Sequence, residues 1–216
     1  SYIAQKTLHG GVTVEATYIA DSNATIEHHR NYKLISNNGC TELITGGIVP
    51  RVEGGSTFEQ SKDIFVGIAK MLSGNGFKPS DIYRQWNYIP GITILNDGSQ
   101  NYQEFNDARS IFYGRDNWTG GYPAATGIGT AAGGVVVEIC AIKDEQCANL
   151  PIDNPLQIAA HNYSQDVLDG KVIDTLNERT TPKFERARLL GNTIFISGTA
   201  AIKGEKSLNN LNAVEQ

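Results

Sequence analysis

The sequence predicts an α+β protein made of two copies of one sheet-and-helix unit, the second copy cut short. Three observations predict it. Alternating, β-branched segments are interrupted twice by segments of helical periodicity, in the order strands, helix, strand, helix, strand. A strongly apolar segment, residues 134–143, closes that order as a central strand of a mixed sheet with helices on one face. A later segment, Arg188 to Gly198, repeats an earlier one, Ile35 to Gly46, glycine on glycine at both the turn and the strand end.

The individual elements follow in order. Residues 11–20 alternate and read as a strand, as do residues 32–37 and 40–48, with Asn37-Asn38-Gly39 as a hairpin turn between the last two. Ser56 with Glu59 makes a capping box, and Ile64, Phe65, Ile68, Met71 and Leu72 then form one apolar stripe at helical spacing. Gly74 or Gly76 ends that helix. Residues 82–89 carry Trp86 and Tyr88 on one face and Gln85 and Asn87 on the other, a strand pattern. Residues 101–113 predict a short amphipathic helix, and residues 123–134 a loop. Val214-Glu215-Gln216 falls where Phe58-Glu59-Gln60 opens the first long helix, so Gln60 to Lys143 have no counterpart in the second copy. The expected division is a first unit at 1–148, a connection at 149–184 marked by Pro151, Pro155 and Pro182, and the start of a truncated second unit at 185–216.

Composition narrows the function classes. In 216 residues, 19 % are charged and 40 % hydrophobic, a globular mixture that can bury a core. A net charge of −5 without a lysine or arginine run argues against a nucleic-acid partner, but leaves room for a small anion held by two or three buried arginines. No apolar run approaches the roughly eighteen residues of a membrane span. The chain opens on Ser1-Tyr2-Ile3 without a leader pattern, which reads as a trimmed product. Cys40, Cys140 and Cys147 are an odd set without CxxC spacing, expected as thiols in the reducing cytoplasm.

Several chemical motifs are discounted. His28 and His29 are adjacent and would point apart on a strand, so no metal site is expected. Cys40 reads as a structural thiol, and Glu138, inside an apolar strand, as a satisfied structural acid. Gly127-Ile128-Gly129 lacks the strand-turn-helix frame of a dinucleotide site.

The unit resembles the YjgF/RidA (Rid) fold: Ile194-Phe-Ile-Ser-Gly198 is similar to that family's "lFvSG" strand, and Val137-Glu-Ile-Cys-Ala-Ile142 to its closing strand. The imine-deaminating branch uses an arginine in a "PaRt" motif. The matching stretch here is Pro123-Ala-Ala-Thr126, with Ala125 in the arginine's place and Cys140 at the second acid of the closing strand, so the first copy lacks that cationic anchor. A closer resemblance is to the chorismatase family, two-copy Rid-like enzymes. It is carried by Trp86-Asn-Tyr-Ile-Pro-Gly-Ile92, Tyr102-Gln-Glu-Phe-Asn-Asp-Ala-Arg109, Pro123-Ala-Ala-Thr-Gly-Ile-Gly-Thr130, and Phe184-Glu-Arg-Ala187 leading to Ile196-Ser-Gly-Thr-Ala-Ala-Ile-Lys-Gly204. The resemblance implies hydrolysis of chorismate with release of pyruvate from its enolpyruvyl ether. It implies that Tyr102, Arg109, Tyr163 and Arg186 line the substrate pocket, with the catalytic carboxylate beyond Gln216. It also implies that no metal or organic cofactor is needed, and an assembly as a two-copy monomer or a homotrimer. The alternatives left open are a Rid-type enamine or imine deaminase and a non-catalytic binder of small acids.

The residues suit that chemistry on physical grounds. A dicarboxylate is best held by two guanidinium groups, and Arg109 and Arg186 could come from either side of a cleft. Tyr102 and Arg109, seven residues apart, share one face of their helix. Enol-ether hydrolysis further needs an acid to protonate the methylene carbon and a water to trap the cation formed.

Overall fold

A computed structural model describes residues 19–96, 98–144, 149–168, 178–199 and 202–207. Its main body is a six-stranded mixed sheet, in the order β1-β2-β3-β8-β4-β7, with two helices packed on one face. The strands are β1 (Thr25–His28), β2 (Tyr32–Asn37), β3 (Cys40–Thr45), β4 (Ile82–Pro90), β7 (Ala124–Thr130) and β8 (Val136–Lys143). A two-strand ribbon, β5 (Leu95–Asn96) with β6 (Ser99–Gln100), leads into the second helix. All neighbours in the large sheet are antiparallel except β4 and β7, which run parallel.

Helix α1 (Thr57–Gly74) begins at the capping box: Ser56 Oγ accepts from the Glu59 backbone N–H, and the Glu59 carboxylate accepts from the Ser56 N–H. Its end is set by Gly76 rather than Gly74. Gly76 has φ +71, its N–H donates to Ser73 O, and the Phe77 N–H donates back to Leu72 O, closing a Schellman motif with Phe77 and Leu72 both in the core. The stripe Ile64, Phe65, Ile68 and Leu72 is buried, while Met71 packs at the core's margin. Helix α2 (Asn101–Tyr113) lies beside α1, with Phe65 stacked on Phe112 at 5.1 Å and tilted against Phe105 at 5.5 Å. Beneath the helices, Leu43, Val137, Ile139 and Ala141 form the sheet's side of the core.

Two details of β4 depart from ordinary patterning. Gln85 and Asn87 face the helices and are buried, whereas Trp86 and Tyr88 lie on the opposite face and are half-buried. The inward amides are paired rather than stranded: Gln85 Nε2 donates to Asn87 Oδ1 at 2.7 Å, and Tyr113 Oη donates to Gln85 Oε1 at 2.7 Å. The 123–134 segment, expected as a loop, forms strand β7 over Ala124–Thr130. Its Ala-Gly-Thr sequence carries no hydrophobic alternation, and the parallel ladder with β4 supplies the pairing instead.

A smaller sheet, β11-β10-β9, is built from β9 (Asn149–Ile152), β10 (Ala187–Leu190) and β11 (Thr193–Ile196), and a ribbon of β12 (Ile202–Lys203) with β13 (Lys206–Ser207) follows. The β2–β3 and β10–β11 hairpins each have a two-residue loop. In the first, Asn38 (φ +48) and Gly39 (φ +84) both take positive φ, a type I′ signature; in the second, Gly191 (φ +56) does so at the first loop position. Gly39 is thus the second loop residue and Gly191 the first, so the glycine-on-glycine match runs one residue out of step with the strand register. The strand expected at 40–48 stops at Thr45, with Ile48 making only an isolated bridge to Val137. Most of the strand expected at 11–20 and the segment 214–216 lie outside the described residues. Among the described residues no helix is long and apolar enough to cross a membrane.

Phe65→Ala is expected to cost about 3–5 kcal/mol through the cavity it leaves, and Ser56→Ala about 1 kcal/mol through the lost cap. Urea unfolding monitored by circular dichroism measures both, and equal midpoints for the two variants would contradict this packing.

Candidate functional site

The site grows from the free edge of β7. As the last strand of the large sheet, β7 presents backbone groups that need partners. The Ala125 N–H donates to Ser197 Oγ (2.9 Å), the Glu185 N–H donates to Pro123 O (3.0 Å), and the Gly198 N–H donates to Thr126 Oγ1 (2.8 Å). Ser197 in turn donates to Glu185 O at 2.5 Å. Residues 185–198 are thereby laid along β7, and Arg186 comes with them.

Arg186 is 7 % exposed. Its Nη2 donates to Tyr163 Oη (2.7 Å) and Ile158 O (3.0 Å), and its guanidinium lies over the rings of Phe184 (5.3 Å) and Tyr163 (5.9 Å). Phe184, Ala160 and Tyr163 pack on Ala125. Arg186 and Tyr163, both singled out from sequence, are therefore brought together. Because Tyr163 Oη accepts from Arg186, its own proton is left to donate elsewhere.

Tyr102 packs over the same face of β7, two residues along. A Cβ built on Gly127 would come within 3.2 Å of Tyr102 Cε2 and of Ile92, so a larger residue would push these side chains back by a few tenths of an ångström. Tyr102, Asn106, Arg109 and Tyr113 occupy one stripe of α2. The stripe is fixed at one end by Tyr102 on Gly127 and at the other by the Tyr113 bond to Gln85, which stands opposite Ala125. Arg109 lies between them and is 1 % exposed. Its Nη2 donates to Asn106 Oδ1 at 2.6 Å and its guanidinium lies 5.6 Å from the Phe105 ring centroid.

The three buried arginines of this region are satisfied very differently. Arg188 spends its donors on carbonyls: Nε on Asn149 Oδ1, Nη2 on Asn149 O, and Nη1 on the carbonyls of Gly120, Gly121 and Tyr122, all within 2.8–3.0 Å. It is a bracket joining β9 and β10 to the 120–122 loop. Arg109 and Arg186 each keep a buried Nε with no hydrogen-bond partner among the described residues, and Asn106 Nδ2 next to Arg109 is in the same state. Unused donors on buried charges are costly, and an incoming carboxylate is the group that best repays them.

Sequence reasoning missed a second layer behind Arg109. Gln103 and Asp107, one turn apart on α2, reach the segment that leads to Arg186: Thr180 Oγ1 donates to Asp107 Oδ1 (2.5 Å), and Gln103 Nε2 lies 2.9 Å from Asp107 Oδ1 and 3.1 Å from Thr180 O. Burial raises the Asp107 carboxyl above the usual range, against the lowering effect of those two donors. The polar face of α2 is consequently buried, where an amphipathic helix was expected to show it to water. Nothing local signals this, because the cover comes from residues some seventy positions away. Glu138, by contrast, lies on the opposite face of the sheet, level with Trp86, and accepts from the Gly47 N–H at 3.3 Å. Cys40 and Cys140 are not in disulfides, and Cys147 is outside the described residues. Among the described residues no cluster of three His, Cys, Asp or Glu side chains is placed to hold a metal.

A mixed sheet with two helices on one face defines an α+β scaffold, and two arginines buried in it keep unused donors. The chain belongs to the family described as chorismatase FkbO/Hyg5-like, N-terminal, whose model matches residues 17–141, more than half of its length. It is 27 % identical over 168 residues to a 3-hydroxybenzoate synthase of Streptomyces hygroscopicus, covering 73 % of this chain and 45 % of that protein. It is 30 % identical over 177 residues to a chorismatase of Streptomyces rapamycinicus, covering 76 % and 47 %. A solved chorismatase structure superposes with a TM-score of 0.63 at 24 % identity, over 85 % of this chain and 52 % of the other, which establishes the shared fold. The chain spans about half the length of the curated relatives it matches.

Asp107→Asn keeps the one oxygen that Gln103 and Thr180 use. A raised carboxyl pKa favours the folded state at low pH and loses that contribution as pH rises through the folded value, since the folded form must then carry a buried charge. Thermal melts from pH 4 to 8 are therefore expected to show wild type losing stability relative to Asp107→Asn as pH rises. Parallel curves would contradict the assignment. Arg188→Met, which strands five acceptor contacts, is expected to lower stability by about 1–3 kcal/mol in the same assay.

Proposed function

We propose that this chain forms the substrate-binding half of a chorismatase-like hydrolase, which cleaves the enolpyruvyl ether of chorismate or a similar cyclic acid and releases pyruvate. The observation that carries the proposal is a pair of buried arginines, each with an unused donor, in a chain of this family: Arg186 against the Phe184 and Tyr163 that cover Ala125, and Arg109 on the α2 stripe between Tyr102 and Tyr113. Each guanidinium would take one carboxylate of the substrate. Tyr163 would donate its free proton to a substrate oxygen, and Tyr102 would form the apolar wall.

The reaction balances without a redox step. A proton adds to the methylene carbon of the enol ether, the oxocarbenium-like ion adds water, and the hemiketal collapses to pyruvate and the ring alcohol. The protein must hold both carboxylates while positive charge develops between them, and a water-excluding cleft strengthens that hold. The acid that supplies the proton is assigned to a carboxylate in the second unit, beyond Gln216. With it comes the proposed division of the chain into a first unit at 1–148 and the start of a second at 185–216. The Rid-type deaminase reading finds little support in the first unit: Ala125, where that chemistry needs a guanidinium, is packed among Phe184, Ala160 and Tyr163.

The test is pyruvate release from chorismate by the full natural chain, followed by a coupled lactate dehydrogenase assay. Arg109→Ala and Arg186→Ala are each expected to lower kcat/KM by at least about 30-fold, the loss of a charge-assisted contact of about 2 kcal/mol or more. Absence of pyruvate from the wild-type protein overturns the proposal. Faster hydrolysis of 2-aminoacrylate would move the function to the deaminase class.

A further inference from the structure

We infer that Lys183 is a third cationic binding residue, joining Arg109 in one anion subsite beside Tyr122. The inference rests on the proposed reading of the arginine pair and extends it to a residue that no motif marked. Lys183 is half-buried, with Nζ 5.5 Å from the Tyr122 ring centroid. Tyr122 is stacked on Tyr113 at 5.7 Å, and Tyr113 is one turn beyond Arg109 on α2. Among the described residues neither Arg109 nor Lys183 forms an ion pair. The nearby carboxylate, Glu185, is turned to the Tyr122 N–H at 2.8 Å.

Arg109 and Lys183 are thus linked through the stacked Tyr113–Tyr122 pair, and two cations of like charge in a partly dehydrated place persist only if something restrains the backbone and something else repays the charge. The restraint is visible on both sides of Lys183. Thr180 is tied to Gln103 and Asp107 three residues before it, and Glu185 is tied to Pro123 and Tyr122 two residues after it. The repayment is an anion: a carboxylate between the two groups would accept from Lys183 Nζ and from the unused Arg109 Nε together. The electrostatics agree with the geometry, since burial and then the Arg109 charge hold the Lys183 amine below its ordinary value. The site then has unequal ends, one carboxylate shared by Arg109 and Lys183 and the other held by Arg186 with Tyr163.

Isothermal titration with isophthalate, a stable cyclic dicarboxylate, tests this on the full chain. Lys183→Gln is expected to weaken binding about tenfold and Lys183→Arg to stay within about threefold, with Lys70→Gln on the exposed surface of α1 matching wild type as the control for net charge. Melting temperatures of all variants exclude misfolding as the cause. If wild type binds and Arg186→Gln weakens it while Lys183→Gln does not, the Lys183 assignment falls and the arginine reading stands. If wild type shows no binding, both fall. Equal weakening by Lys183→Gln and Lys70→Gln also overturns the assignment, because it reduces the effect to long-range charge.

Discussion

The constraint on which the rest of the structure depends is the open edge of β7. An edge strand with unpaired amides and carbonyls has to be covered or protected. Here it is covered by the chain itself: Glu185, Ser197 and Gly198 supply the partners. Few bonds are involved, yet they set where residues 185–198 are laid down. Because Arg186 follows Glu185 directly, satisfying the edge also brings a guanidinium over the Ala125 end of the strand. Pairing the β7 edge and placing Arg186 are one event in this fold.

The small residues of β7 make the second half of that event possible. Ala125 and Gly127 project little toward the helices, which lets Tyr102 and Ile92 come down onto the strand and lets Phe184 and Tyr163 close from the other side. Burying arginine beneath such a cover is expensive unless its donors are used. Arg188 shows how the chain behaves when burial is purely structural, with its donors on five carbonyl or amide oxygens. Arg109 and Arg186 are left with donors in hand. That contrast between buried residues of the same type is what the proposed binding role rests on.

The helices and the first hairpin were legible because their signals are local: a capping box at Ser56 and Glu59, an apolar stripe, an Asn-Gly turn. Strand β7 was not, since its residues have no period and its pairing is imposed by β4 from some forty positions away. The inward direction of Gln85 and Asn87 was equally hidden, because a buried amide is acceptable only once Tyr113 is known to meet it. Tyr163 and Arg186 were named from their motifs, and their mutual hydrogen bond could be seen only in three dimensions. Lys183 carried no mark, and Gln103 and Asp107 sat in a quoted motif without any role of their own. On a sequence they are ordinary surface charges and amides, and their burial is a property of the segment that folds back across α2.

The offset between the two hairpin glycines bears on anyone who would build chimeras from this chain. Glycine at a turn records a dihedral demand, and the two turns make that demand at different loop positions. Grafting one hairpin onto the other by lining up Gly39 with Gly191 would slide each strand by one residue. Side chains alternate across a strand, so such a splice would turn every inward residue outward. A transplant should instead be cut at the closing pairs, Asn37 with Cys40 and Leu190 with Thr193, where the ladders themselves define equivalence.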